Sequence, residues 1–256
     1  MTEYINQTAQ ELFGIRVDPG DAQKLRAYIV KNGGDESHQN IRRVFSSGEA
    51  ADILTVNETW FFREPVHFQF FWEMLPAFER SKIQICCAAV SKGCEAYSIA
   101  MMIETYNKTA ENPISYNIDA FDVSSNMIDA ACQGVYSPGV FREDGCDFRY
   151  MAEPYLEKLT DRYKVDASLK KNIRFFVHNL MDELSPKEYD FIFFRNAFIY
   201  FTSENRERIV SNLSAVMKEG GIIFFGVSET VGVRHSSLDR KNRGDLFYFQ
   251  KSVCKK

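Results

Sequence analysis

Residues 88–100 read Ala-Ala-Val-Ser-Lys-Gly-Cys-Glu-Ala-Tyr-Ser-Ile-Ala, and what flanks them decides the fold. The apolar run Ile83 to Cys87 comes before, and Ala96, Ile99, Ala100 and Ile103 follow at helical spacing. The pattern predicts a strand, a tight turn at Gly93 and a helix. In an α/β protein such a turn ends the first strand of a parallel sheet, where ligands collect and helix N-terminal amides face outward. A cofactor site is therefore the first expectation. An ordinary strand-to-helix connection is the alternative, because Gly93 alone marks the turn and Gly-x-Gly-x-x-Gly is missing. Cys94 stands at the helix N-terminus, where the dipole lowers a thiol pKa and favours reactivity; the plainer reading is a small residue filling a tight turn.

Downstream, the strand Tyr116 to Phe121 ends on Asp122, Ser124 or Ser125 caps a short helix holding Met127, Ile128 and Ala131, and Gly134 closes it. An acid at the end of a second strand is where a nucleotide-binding sheet holds a ribose diol, since a carboxylate accepts two hydroxyl hydrogen bonds at once. Capping of the helix by Asp122 itself is a compatible alternative. Residues 136–173 are irregular and polar, with a short strand suggested over 162–165, and are too long for a plain loop, so they read as an inserted subdomain. Strands resume at Ile173–Val177 and Tyr189–Phe194. A helix over Ser203–Met217 and a turn at Gly220-Gly221 then lead into a strand over Ile222–Val227. His178-Asn179-Leu180, Arg195 to Phe201 and Ser228-Glu229-Thr230 follow these strands at one sheet edge, and Leu246–Gln250 closes the sheet antiparallel.

Upstream, Asp18-Pro19 starts a helix that buries Ala22, Leu25, Tyr28 and Ile29 and stops at Gly33-Gly34. A second helical stretch over Asn40–Leu54 completes a small helical module. Its Lys24, Arg26, Lys31, Arg42 and Arg43 form either a docking face or an ordinary solvated surface. Asn57 to Pro65 and the aromatic segment His67, Phe68, Phe70, Phe71, Trp72 then anchor a linker helix to the sheet. Arg63 within it is either a snorkelling surface charge or a partly buried anion ligand.

The 256 residues suffice for one substantial α/β domain plus a small addition. A net charge of -4 argues against nucleic acid as partner, and no leader-like segment or membrane-length apolar run is evident, which reads as cytoplasmic. The six cysteines (Cys86, Cys87, Cys94, Cys132, Cys146, Cys254) include no Cys-x-x-Cys. With four scattered histidines, they are expected as reduced thiols without a metal site.

Taken in order, Asn-Glu-Thr-Trp-Phe-Phe-Arg (57–63), Gly-x-Glu-x-Tyr-Ser-Ile-Ala (93–100), the Asp122 strand end, Asn179-Leu180, Arg-Asn-x-x-Ile-Tyr-Phe (195–201) and Gly-x-Ser-Glu (226–229) resemble the CheR family. These chemotaxis-receptor methyltransferases move a methyl group from S-adenosylmethionine (SAM) to a glutamate side chain, leaving S-adenosylhomocysteine (SAH). The resemblance implies a Rossmann-like class I SAM-methyltransferase α/β sheet, with a helical module over 1–56, a linker over 57–80 and the SAM-binding domain over 81–256. The insert at about 136–173 corresponds to the family's small β-subdomain. It implies that Glu95 holds the methionine end, Asp122 the ribose, and Asn179 and Leu180 the adenine side. Asn57 and Thr59 line the pocket, and Arg63, Asn196 and Tyr200 stand at the methyl-donor end, with Arg63 and Tyr200 positioning the acceptor. The implied partner is a chemoreceptor cytoplasmic domain. A SAM-dependent methyltransferase with another acceptor, or a SAM- or SAH-binding scaffold without turnover, stays open beside it. Family members usually read Thr-Gly-Glu-Glu-Pro-Tyr-Ser where this chain has Lys92-Gly93-Cys94-Glu95-Ala96-Tyr97-Ser98, so Lys92 brings a cation near the pocket unless its side chain turns away.

Overall fold

The computed structural model describes residues 1–55, 57–79 and 81–253, without the side chain of Cys146; the expectation of reduced thiols at Cys146 and Cys254 lies outside what is described. Ten strands alternate with helices: β1 (Lys82–Ala88), β2 (Ser115–Asp122), β3 (Val135–Tyr136), β4 (Leu156–Lys158), β5 (Tyr163–Val165), β6 (Ile173–Val177), β7 (Tyr189–Phe194), β8 (Met217–Phe224), β9 (Leu238–Arg243) and β10 (Leu246–Lys251). Seven of them form one sheet in the order β6-β2-β1-β7-β8-β10-β9. Its first five members are parallel, and β10 runs antiparallel to both β8 and β9. The chain steps outward from β1 to β2 and β6, then returns to lay β7 on the other side of β1. That reversal opens a crevice beyond the carboxyl ends of β1 and β7, where an open α/β sheet binds ligands.

The central strands are apolar runs because the sheet is covered on both faces. In β1, Ile83, Ile85 and Cys87 join a core with Phe68, Phe71, Phe191 and Phe193, while Cys86 and Ala88 face Ile192, Phe194, Ile209 and Leu213. One core takes the linker helix, because Phe71 meets Phe191 edge-on at 5.1 Å between ring centroids.

The N-terminal helices are α1 (Thr2–Phe13), α2 (Pro19–Lys31), α3 (His38–Ser46) and α4 (Glu49–Leu54); α5 (Pro65–Met74) is the aromatic linker. Asp18 caps α2 with Pro19 at its first position, as the sequence predicts. The helix expected over Asn40–Leu54 is broken in two, because Gly48 (φ 82°) takes the left-handed conformation between α3 and α4. The first helix, α1, carries no capping side chain and was not anticipated. These four helices enclose their own core of Ile5, Ala9, Leu25, Ile29, Ile41, Val44 and Phe45.

The remaining helices are α6 (Cys94–Asn107), α7 (Ser125–Gln133), the single turns α8 (Arg149–Ala152) and α9 (Ala167–Lys170), and α10 (Ser203–Ala215). Within the inserted segment β3, β5 and β4 make a separate antiparallel sheet. Three boundaries around the turn into β8 and at its end differ from expectation. α10 ends at Ala215 rather than Met217, and β8 begins at Met217 and ends at Phe224, not Val227. A bulge lets β8 start early: Tyr189 pairs with Met217 but Phe191 with Ile222, and a Cβ on Gly221 would lie 2.9 Å from the Lys218 carbonyl oxygen.

Asp119, buried in the middle of β2, accepts from Arg174 Nε (2.9 Å), Lys187 Nζ (2.6 Å) and the Tyr189 hydroxyl (2.7 Å). Burial pushes its pKa up, but the three donors outweigh it and hold the carboxyl below its ordinary value. A depressed carboxylate pKa stabilises above the unfolded-state value and loses that contribution as pH falls through the folded one. Asp119→Asn is therefore expected to lower stability by about 1–3 kcal/mol at neutral pH, the low end allowing for the exposure of Arg174. The deficit should shrink toward pH 3. Urea titrations at both pH values check this, and an equal deficit at each would remove the assigned charge contribution.

Candidate functional site

The turn after β1 is built from left-handed residues in alternation: Ala89 (φ 57°), Ser91 (φ 51°) and Gly93 (φ 86°). Glycine is required at the last of these, since a Cβ there would meet the Ala131 Cβ at 2.9 Å. Among the described residues, the five non-glycine residues with positive φ (Phe62, Glu64, Ala89, Ser91, Asn196) either line one cavity or adjoin residues that do, so backbone strain is concentrated at this place. The turn is clasped by the acid that ends β2. Asp122 accepts from Ser91 N at 2.8 Å and from Ser124 N at 3.0 Å. Burial raises its pKa and those amides lower it, with burial prevailing. Ser124, not Asp122, caps α7, its hydroxyl accepting from Met127 N at 3.1 Å.

Behind the turn stands Arg195, at the end of β7, with a side chain only 2% exposed. It donates to Glu95 Oε2 on α6 at 2.9 Å, to Glu64 Oε2 at 3.2 Å and to the Arg63 carbonyl oxygen. Glu64 also accepts from Asn196 Nδ2 at 2.8 Å and from Val227 N at 3.2 Å. Burial pushes the Glu95 pKa up and Arg195 opposes it, burial prevailing. A second acid, Glu229, takes the amides of Gly226, Asn196 and Ile199 and so ties the β7 and β8 ends together. Burial draws the neighbouring His67 imidazole down to about 2, keeping it neutral against Phe224.

These elements surround a cleft with about 1020 Å³ of empty space, open solvent at its mouth included. All nine residues singled out from sequence line it: Asn57, Thr59, Arg63, Glu95, Asp122, Asn179, Leu180, Asn196 and Tyr200. Reading the sequence missed the contribution of the N-terminal helices, Phe13, Ile15, Ala51 and Thr55, and the lining residues Glu58, Trp60 and His178. Arg195 and Glu229 lay inside the compared motifs and were given no role. Hydrogen bonds seat the N-terminal helices against the sheet ends: Asn179 Nδ2 to the Leu12 carbonyl (2.6 Å), Asn205 Nδ2 to the Gly14 carbonyl (2.8 Å), Arg16 N to the Tyr200 carbonyl (2.9 Å), and the Ser124 hydroxyl and Asn126 Nδ2 to the Asp52 carboxylate.

Two alternatives left open at the opening stretch are decided by the packing. The Lys92 side chain is exposed and outside the lining, so it adds no cation to the cavity. Cys94 is wholly buried, and burial pushes its thiol up to about 12, so the helix dipole does not activate it. Cys86, Cys87 and Cys132 are likewise free thiols. Among the described residues no His, Cys, Asp or Glu cluster is placed to hold a metal ion, and no helix is long and apolar enough to cross a membrane.

The lining fits a nucleoside carrying a cationic substituent. It offers three carboxylates, Asp122, Glu95 and Glu58, amide side chains at Asn57, Asn179 and Asn196, and apolar walls at Phe13, Phe121, Leu180 and Phe201 against which a flat ring can lie. Among the described residues the buried Arg195 Nε has no hydrogen-bond partner, which leaves one donor beside the cavity unspent.

Comparison with known proteins agrees with this chemistry. The family described as "CheR methyltransferase, SAM binding domain" matches residues 57–244. A chemotaxis protein methyltransferase of Borreliella burgdorferi is 34% identical over 196 residues, covering 72% of this chain and 68% of that protein. One from Vibrio parahaemolyticus is 33% identical over 188 residues, covering 71% of this chain and 68% of that protein. The probable biofilm formation methyltransferase WspC of Pseudomonas aeruginosa is 30% identical over 206 residues, covering 76% of this chain and 47% of that longer protein. The chain belongs to the CheR methyltransferase family, and S-adenosylmethionine is its cofactor.

Proposed function

We propose that the protein transfers a methyl group from SAM to a glutamate side-chain carboxylate of a chemoreceptor or related signalling protein. The observation that carries this reading is the gathering of Arg63 and Tyr200 into the same cavity as Glu95 and Asp122, with Arg63 already oriented. Its Nη1 donates to the Glu58 carbonyl at 2.7 Å, and its guanidinium lies 4.3 Å from the centre of the Trp60 ring. One face and one donor are thus spent on the protein, and the fork keeps further N–H groups for a carboxylate. The chemotaxis methyltransferases among the relatives support a receptor-type acceptor.

SAM brings, when bound, a methyl group on a positively charged sulfur, which is an activated donor. Asp122 takes the ribose hydroxyls: a carboxylate has about four acceptor positions, and two serve Ser91 and Ser124. Glu95 holds the methionine amine, Asn179 and Leu180 flank the adenine, and Asn57, Thr59 and Asn196 line the remainder. A glutamate acceptor, with a reference pKa near 4.3, is ionised at neutral pH and needs no base. The work left for Arg63 and Tyr200 is to hold that carboxylate in line and keep water out. They must hold it loosely, since binding the ground state more tightly than the transition state slows transfer.

Tyr200→Phe is expected to lower methyl transfer at least about tenfold while SAM affinity by titration calorimetry stays near wild type. Weakened SAM binding with unchanged transfer at saturation would move Tyr200 into the cofactor's shell. The acceptor chemistry has its own assay. A glutamate methyl ester releases methanol in mild base, whereas a methylated nitrogen does not, so base-stable label would rule out the carboxylate.

A further inference from the structure

Trp60 is stacked by two guanidinium groups. Arg63 lies 4.3 Å from its ring centroid and Arg142, from the segment inserted between β3 and β4, lies 4.0 Å from it. Two planar cations so close to one ring centre fit only on opposite faces. The indole is pinned in turn, its Nε1 donating to Asp144 Oδ1 at 2.8 Å, and Phe61 N bonds to the Val140 carbonyl at 3.0 Å. The inserted segment therefore holds the 57–64 segment and presents Arg142 beside the cavity-lining Glu58 and Trp60. A guanidinium stacked through its face keeps its N–H edge free for planar recognition of a carboxylate. The only carboxylate facing that edge, among the described contacts, is Glu58 at 3.5 Å, with side chains 47% and 55% exposed. A pair so long and so wet is weak, and an incoming acid can replace it.

We propose that Arg142 is a second carboxylate-binding residue at the mouth of the cavity, favouring acceptors with another acidic side chain close to the reacting one. The inference rests on the carboxylate-acceptor reading above. Arg63 takes the reacting carboxylate and Arg142 takes its neighbour, with Trp60 as the rigid spacer that sets their separation at about 8 Å or less, a stacked arrangement with little rotamer freedom. Arg142 acts as a specificity-determining residue: it selects among acceptors and leaves the cofactor's contacts untouched.

The test uses the full chain saturated with SAH, whose affinity is measured first by calorimetry. Two alanine-based peptides are titrated, one with a single glutamate and one with two glutamates whose carboxylates can lie within about 8 Å. The two-glutamate peptide is expected to bind roughly tenfold more tightly. R142Q should bring it down to the single-glutamate value at unchanged SAH affinity. Equal binding of the two peptides by the wild type, or a preference that survives in R142Q, overturns the proposal and leaves the acceptor reading standing. If neither peptide binds the SAH-saturated protein, the carboxylate-acceptor reading falls and the proposal with it.

Discussion

Arg195→Ala is expected to cost about 3–5 kcal/mol of stability, because it strips the cation from a buried cluster and leaves its carboxylates facing each other. Arg195 is 2% exposed, while the Glu95 and Glu64 side chains it joins are 15% and 21% exposed, so water reaches neither acid freely. The same side chain holds the Arg63 carbonyl, so methyl transfer should be lost along with stability. The pH dependence identifies the cause. Without Arg195 the Glu95 carboxyl, already raised by burial in the wild type, rises further. A carboxyl whose folded pKa exceeds its unfolded value favours the folded state at low pH and loses that contribution as pH rises through the folded value. The deficit should therefore be largest at pH 7 and smaller at a test pH of about 5, in the direction in which Glu95 takes up its proton. Guanidinium or urea unfolding at the two pH values checks both statements. A variant within about 1 kcal/mol of wild type at pH 7 would mean the cluster is solvated and the cation dispensable. Glu95→Gln in the Arg195→Ala background should recover part of the loss, which a packing defect alone would not allow.

Asp122→Ala is expected to weaken SAM binding by at least about tenfold, and by about a hundredfold if both ribose hydroxyls depend on it, at 1.5–3 kcal/mol for each hydrogen bond to a charged group. The residue also accepts Ser91 N and Ser124 N, so truncation loosens the turn that forms the cavity floor. Asp122→Asn separates the two effects: its amide oxygen can still accept a backbone N–H, yet the charge is gone. An affinity in Asp122→Asn close to that of the alanine variant would assign the loss to the carboxylate charge, and wild-type affinity in both would remove the ribose assignment. Because burial raises the Asp122 pKa, SAM affinity should begin to fall, as pH drops, at a higher pH than an ordinary aspartate would dictate. Only the ionised form accepts from both hydroxyls, so binding is strong above that pKa and weak below it.

The strands that form the crevice were legible because a sheet covered on both faces writes itself as unbroken apolar runs, Ile83 to Cys87 and Tyr189 to Phe194 among them. The edge was not legible. β9 reads Leu-Asp-Arg-Lys-Asn-Arg, with no alternation to find; its charges face solvent and guard an exposed edge, and only its pairing with β10 makes it a strand. α1 escaped notice because its buried residues, Ile5, Thr8, Ala9 and Phe13, are spread thinly among polar ones and the helix has no capping side chain. The cavity residues stood out through their motifs, and the structure gathers them. What holds them was hidden, because Arg195 meets Glu95 across 100 residues and Glu64 across 131, and no local pattern encodes such a pairing. Lys92 and Cys94 stayed undecided for the opposite reason. Their positions in the turn were evident, but whether a side chain points into a cavity depends on packing that sequence does not display.

Phe13, Ile15, Ala51 and Thr55 reach the cavity from helices with a core of their own, while the opposite wall belongs to the sheet. A cofactor seated between them is a reversible cross-link joining two parts of the chain that hydrogen bonds at Asn179, Asn205, Arg16 and Asp52 and the packing of Val123, Tyr200 and Phe201 otherwise hold together. Saturation with such a ligand adds a mass-action contribution to the closed arrangement, about 2.7 kcal/mol at a hundred times its dissociation constant. Linkage runs both ways, so a partner that grips the N-terminal helices in their docked position tightens cofactor binding by the same factor. A partner's grip on the outside of the module and nucleoside retention within would thus draw on one free energy.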